Sequence, residues 1–139
     1  MKYIKLDGME SYEILCLYYL RDDLDQNYIL VGGNFNKINV YKLKGNTFDY
    51  FCTLEGHKNS VTCFANDGNM LFSGSDDQTI IAWNTVEWHA SFMHDRIRII
   101  RPHKILRRHT ESIQALCMLK NNGILLSCAY DHMIHAWQY

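Results

Sequence analysis

Residues 54–64 read LEGHKNSVTCF and residues 70–84 read MLFSGSDDQTIIAWN; the pattern returns as LRRHTESIQAL at 106–116 and ILLSCAYDHMIHAWQ at 124–138. A repeat of this kind decides the fold, because each copy must be one structural unit that stacks on the next. His57 matches His109, Ser60 matches Ser112, Ser73 matches Ser127, Asp77 matches Asp131 and Trp83 matches Trp137. From His57 to Trp83 is 26 residues and from His109 to Trp137 is 28; Asp77 to Trp83 and Asp131 to Trp137 are both six. A weaker copy precedes these. Ile14-Leu15-Cys16-Leu17 echoes Val61-Thr62-Cys63-Phe64, and 29–41 echoes 71–83. In it Met9 stands for the histidine, Phe35 for the aspartate and Tyr41 for the tryptophan.

Within a copy the pattern is β. Short apolar or alternating runs, Val61 to Ala65, Leu71 to Ser75 and Thr79 to Trp83, are separated by the turn residues 66–69 and 76–78. Ile113 to Met118, Ile124 to Ala129 and Met133 to Gln138 correspond, and Tyr50 to Leu54 reads as a fourth strand leading into the next histidine. A single proline suits a sheet-rich chain, since proline cannot donate to a ladder.

These residues resemble the WD-repeat family, whose members fold as β-propellers of four-stranded blades. The likeness is strongest over 54–84, good over 106–138 and moderate over 6–41. The departures are Trp83-Asn84 and Trp137-Gln138 for W-D, Arg108-His109 for G-H, and the decayed first copy. The resemblance implies two buried hydrogen-bond tetrads, His57, Ser73, Asp77 and Trp83, and His109, Ser127, Asp131 and Trp137. In such a network the histidine donates to the carboxylate and accepts from the serine, which accepts from the indole, so every polar group is satisfied. Ser, His and Asp together also mimic a catalytic triad, but their recurrence once per copy and the mid-strand serine favour a structural role.

The expected architecture is therefore all-β, a single array over 1–139 of about three propeller-type blades: 7–54, 55–106 and 107–139. The last blade would be completed by a strand at 2–6 or by another chain. Closed propellers have about four to eight blades, so the array is expected to be an open arc, to self-associate, or to form part of a larger propeller.

Length and composition fit one folded unit. At 139 residues, roughly 70% of the unfolded surface is buried on folding. Fourteen basic against fifteen acidic residues exclude a chain-wide footprint for nucleic acid. The longest apolar run, Ile14 to Leu20, falls far short of a membrane span. The five cysteines, odd in number and without C-x-x-C spacing, read as reduced core thiols in an intracellular protein, neither secreted nor membrane-bound. Phe, Tyr, Met, Ile, Asn and Lys far outnumber Gly, Ala, Arg and Pro, which suggests an AT-rich genome.

The expected function is a non-catalytic scaffold that binds other protein chains in a larger cytoplasmic assembly, a cytoskeletal or ciliary one as its finer form. No cofactor or metal is expected. His132 and His135, three apart in a strand, would point to opposite sides. Loop residues at the histidine face, Asn34, Lys58, Asn59, Asp76, Thr110, Glu111 and Tyr130, are the candidate partner contacts. The one charge asymmetry is the basic run containing Arg96, Arg98 and Arg101, either a solvated outer strand or a patch for an acidic tail or for RNA or DNA phosphates.

Overall fold

The computed structural model describes residues 11–90 and 98–139, and within them the chain is all-β. Three antiparallel sheets follow one another in sequence. The first contains β1 (Ile14–Arg21), β2 (Asn27–Gly33), β3 (Lys37–Lys44) and β4 (Thr47–Glu55). The second contains β5 (Val61–Asn66), β6 (Met70–Ser75), β7 (Thr79–Asn84) and β9 (Lys104–Arg107), and the third β10 (Ile113–Leu119), β11 (Ile124–Ala129) and β12 (Ile134–Gln138). Each strand falls on a run expected from the repeat, displaced by at most a few residues at its ends. The opening strand expected at 2–6 lies outside the described residues.

The segment β8 (Ile99–Ile100) departs from expectation. It is an edge strand, but it pairs parallel with Thr53 and Leu54 of β4, and so belongs to the first sheet although it lies in the link after β7. The Arg98 carbonyl accepts from the Thr53 N–H at 2.8 Å and extends this seam.

The sheets pack face on face. Leu20, Leu30, Ile38, Val40, Cys52 and Leu54 of the first meet Val61, Phe64, Leu71, Ile81 and Trp83 of the second. Phe72, Ile80 and Ala82 of the second meet Ile113, Leu125, Leu116 and Trp137 of the third. Trp88, in the short helix α1 (Glu87–Ala90), is buried in the first of these layers, edge-on to Tyr28, although it lies in the link between strands. Its indole N–H has no hydrogen-bond acceptor among the described residues.

The three inner strands begin alike. Ile14, Val61 and Ile113 pair with Gly33, Ser75 and Ala129, and each pairing is followed by a one-residue register shift. Such a bulge tightens the local twist. The turn after the second strand is also shared, with Gln78 and His132 both left-handed, at φ 70° and 63°.

The cysteines divide by sheet. Burial pushes the Cys16 and Cys52 thiols up to about 12 and Cys63 to about 11, so these are inert core groups. Cys117 is exposed and Cys128 half-exposed, against the expectation of a core position for all five. Both lie on the third sheet, on the side turned away from the second. Among the described helices none is long and apolar enough to cross a membrane.

Candidate functional site

Each tetrad is assembled by one loop, two strands and the turn between them. In the second sheet the loop before β5 carries His57, β6 carries Ser73, the β6–β7 turn carries Asp77 and β7 carries Trp83. His57 Nδ1 lies 2.9 Å from Asp77 Oδ2 and Nε2 lies 2.7 Å from Ser73 Oγ, which accepts from Trp83 Nε1 at 2.9 Å. The carboxylate can only accept, so the neutral ring donates from Nδ1 and accepts the serine hydroxyl at Nε2. The third sheet repeats the bonds: His109 to Asp131 at 2.7 Å, His109 to Ser127 at 2.8 Å, and Trp137 to Ser127 at 2.8 Å. Ser73 is fully buried and Ser127 nearly so, which leaves neither hydroxyl accessible to attack a substrate.

Each aspartate does more than hold its histidine. Asp77 accepts the Lys58 N–H at 2.8 Å, the Thr79 N–H at 2.9 Å and the Thr79 hydroxyl at 2.6 Å. Asp131 accepts the Thr110 N–H at 3.1 Å and the Met133 N–H at 3.0 Å. Burial alone would raise both carboxyls. The hydrogen bonds from histidine, backbone and Thr79 outweigh it at Asp77 and hold that group far below the ordinary carboxylate range. The same balance at Asp131, without the threonine hydroxyl, lowers it to about 2. Thr79 has no part in the expected tetrad. Its signal in the sequence is a hydroxyl residue two positions after the aspartate, the spacing of an Asx-type turn.

His135 lies with its ring 4.3 Å from that of His109, and ligating atoms of His109, Asp131 and His135 come within 4.8 Å of one another. Both nitrogens of His109 are already engaged by Asp131 and Ser127. A metal there would have to break the tetrad, so the cluster belongs to it.

The candidate contacts separate into three groups. Asn34, Lys58 and Asn59 come together in a cleft of about 400 Å³ between the first two sheets, with Tyr12, Lys37 and Asn39 also lining it. The Asn34 side-chain oxygen accepts the Glu13 N–H at 2.9 Å, and that of Asn59 accepts the Ser60 N–H at 2.8 Å. With their oxygens so engaged, the two asparagines have their amide donors left to offer, beside the exposed Lys58. Asp76, by contrast, accepts the Ser112 hydroxyl across the second and third sheets. Glu111 and Tyr130 stay exposed at the third sheet, Tyr130 at 65%.

The basic run is drawn onto the first sheet. Arg98 donates to the Phe51 carbonyl at 3.2 Å with its guanidinium over the Phe51 ring, and Arg101 pairs with Glu55 at 3.3 Å. These contacts fasten β8 to β4. Arg96 lies outside the described residues.

Comparison with known proteins agrees with the repeat. The family model "WD domain, G-beta repeat" matches residues 48–84 and 100–138. Each match runs from an outer strand through the three strands of the following sheet, and the first copy lies outside both. Mouse "WD repeat and FYVE domain-containing protein 1" is 32% identical over 124 residues, 88% of this chain and 27% of the mouse protein. The Arabidopsis thaliana "Zinc finger CCCH domain-containing protein 62" is 42% identical over 60 residues, 40% of this chain and 14% of its own length. The Neurospora crassa "Small ribosomal subunit protein RACK1" is 29% identical over 89 residues, 62% and 26% of the two chains. The chain thus spans about a quarter or less of the length of these relatives.

Proposed function

The chain belongs to the WD-repeat family, and from that premise we propose that it is a non-catalytic scaffold holding other proteins together in a larger assembly. The observation that carries this reading is the cleft between the first two sheets. It is open to solvent, it is lined by asparagine and lysine side chains, and it stands on a framework whose tetrad histidines and serines are buried in structural bonds. A partner segment rich in carboxylates or in free backbone carbonyls fits it best, because charge-assisted bonds from ammonium donors to such acceptors are the stronger ones. A reducing compartment, the cytoplasm, suits five cysteines that stand as free thiols. A cytoskeletal or ciliary complex is the finer form of the proposal.

The test is affinity capture from the source cells with the tagged chain and with a Lys58→Glu, Asn59→Asp double variant, both checked for an unchanged melting temperature. The expected result is a defined set of proteins with the native chain and loss of at least one with the variant. Capture of an identical set by both would remove the cleft from the interaction.

A further inference from the structure

We infer that the chain carries a second docking site, at the end of the strands opposite the cleft, for a partner segment in which a large aliphatic side chain stands next to lysine or arginine. This goes beyond the cleft reading and does not depend on it.

The topology places the site. β1, β5 and β7 run away from the cleft, so the β1–β2 turn, the β5–β6 turn and the residues after β7 meet at the far end of the joint between the first two sheets. A pocket of about 250 Å³ opens there, with Leu24 on the side of the first sheet and Gly68, Asn69 and Val86 on the side of the second. Both walls belong to sheets that pack on one another inside the array, through Leu20 and Leu30 against Phe64 and Leu71, so the pocket is a property of that joint.

Each wall is held from behind. Asp22 Oδ1 accepts the N–H of Leu24 at 3.0 Å and that of Gln26 at 2.8 Å, while Oδ2 accepts the Tyr28 hydroxyl at 3.2 Å. Across the pocket the Thr85 hydroxyl donates to the Asn69 carbonyl at 2.8 Å and to the Gly68 carbonyl at 3.2 Å, and the Thr85 N–H donates to Asn69 again at 3.0 Å. The Val86 N–H donates to the Asn84 side-chain oxygen at 3.1 Å, and the buried Trp88 anchors the segment that follows. These bonds fix the backbone and leave two aliphatic side chains in water, Leu24 at 64% exposure and Val86 at 58%. Exposed aliphatic groups that converge from separate turns on one hollow form an apolar patch of set shape. An apolar group that covers it gains the burial without the cost of ordering the walls.

Charge selects the rest of the partner. The turns at 22–26, 66–69 and 84–88 carry five of the fifteen acidic residues, Asp22, Asp23, Asp25, Asp67 and Glu87, and no lysine or arginine. Arg21 answers Asp25 at 3.0 Å, and Asp67 accepts the Tyr139 hydroxyl. Asp23 lines the pocket, exposed, with no side-chain hydrogen bond or ion pair among the described residues. The cleft is lined by Lys37 and Lys58 and by no acid, this pocket by Asp22 and Asp23 and by no base. A carboxylate-rich segment suited to the cleft is therefore repelled here, and a cation beside an apolar anchor is drawn to Asp23.

The test is a nuclear magnetic resonance titration of the isotope-labelled 139-residue chain with acetyl-Gly-Lys-Leu-Lys-Gly-amide. The peptide should shift the amide resonances of Leu24, Gly68, Asn69 and Val86 and leave those of Asn34, Lys58 and Asn59 in place. Serine for the leucine of the peptide should weaken binding roughly tenfold or more, and glutamate for both lysines should abolish it. Leu24→Ser, at a side chain mostly in water, should keep the native circular-dichroism spectrum and lose the shifts. Asp23→Lys should reverse the preference, so that the Glu-Leu-Glu peptide binds better than Lys-Leu-Lys. The Lys58→Glu, Asn59→Asp variant should bind the peptide as the native chain does, which separates this site from the cleft. The inference is overturned by a native chain without shifts at several millimolar peptide, by equal binding of the serine or glutamate peptide, or by binding that survives both Leu24→Ser and Asp23→Lys. Shifts of the same four amides on concentrating the peptide-free chain would assign the pocket to a second copy and overturn it equally.

Discussion

The second and third sheets hold the same tetrad with the same bonds, but only the second is covered on both faces by its neighbours. His57, Ser73, Asp77 and Trp83 lie in a four-strand sheet covered on both faces, with Trp83 fully buried. His109, Ser127, Asp131 and Trp137 lie in a sheet of three described strands covered on one face, with Ile134 and Met133 exposed beside them. Identical hydrogen bonds are thus placed in different dielectric surroundings, and a buried polar network gains and risks more as water is excluded. The comparison teaches that the repeat transmits the wiring of a site, while its energetic weight is set by neighbouring sheets.

The largest expected effect follows directly. Asp77→Ala strands the buried His57 Nδ1–H and removes the acceptor of the half-buried Thr79 N–H and of the exposed Lys58 N–H, and a charge-assisted bond is worth about 1.5–3 kcal/mol where water cannot replace it. We expect a loss of at least about 3 kcal/mol, near the margin of stability of a small domain. Asp131→Ala should lower the melting temperature by clearly less. Calorimetry on the two variants checks this, and equal losses would break the comparison between the sheets.

Acid should separate the sheets by a smaller margin. Both aspartates ionise more readily folded than unfolded, so their contribution is complete above the unfolded value of about 4. It is lost as pH falls through the folded value, about 2 for Asp131 and lower for Asp77. Stability should therefore decline from about pH 4 downward, with Asp131 spent near pH 2 while Asp77 still contributes. Denaturant melts of the native chain and of Asp77→Asn and Asp131→Asn between pH 4 and 2 test the order. A native chain with a flat profile there would show that neither carboxylate is held down by folding.

Much of this was legible in the sequence. The strands follow from alternation and turn residues, and the tetrad partners follow from spacing, because both are local or repeat once per copy. What was illegible depends on which sheet a segment meets. Ile99 and Ile100 read as a strand, but nothing in their residues says that β4 would be their parallel partner. Trp88 sits in a link between strands, and its burial depends on a layer built from the first two sheets. The cleft draws Lys37 and Tyr12 from one sheet and Lys58 and Asn59 from the next, and alternation assigns a face without naming its neighbour. Thr79 was missed for a different reason: as a β-strand residue it needed no further explanation.

Thr79 also supplies the finest test of the comparison, since its hydroxyl is the one bond by which the two carboxylates differ. Its hydroxyl is the fourth bond on Asp77, and Met133 takes its place at Asp131, offering only a backbone N–H. The two positions share their backbone: each follows a left-handed residue, Gln78 or His132, and each donates its N–H to Oδ1 of the aspartate two positions earlier. Thr79→Val keeps the shape of the side chain and removes the hydroxyl, and should cost about 1 kcal/mol. Met133→Thr should do the reverse. The methionine is 52% exposed, so little packing is lost, and threonine suits a strand better. A rise in melting temperature of about 2 °C is expected, together with a fall of the Asp131 carboxyl below its present value of about 2, followed by carboxyl chemical shifts through an acid titration. If the melting temperature rises but the titration does not move, strand propensity alone explains the gain, and the fourth bond is not what sets the two carboxylates apart.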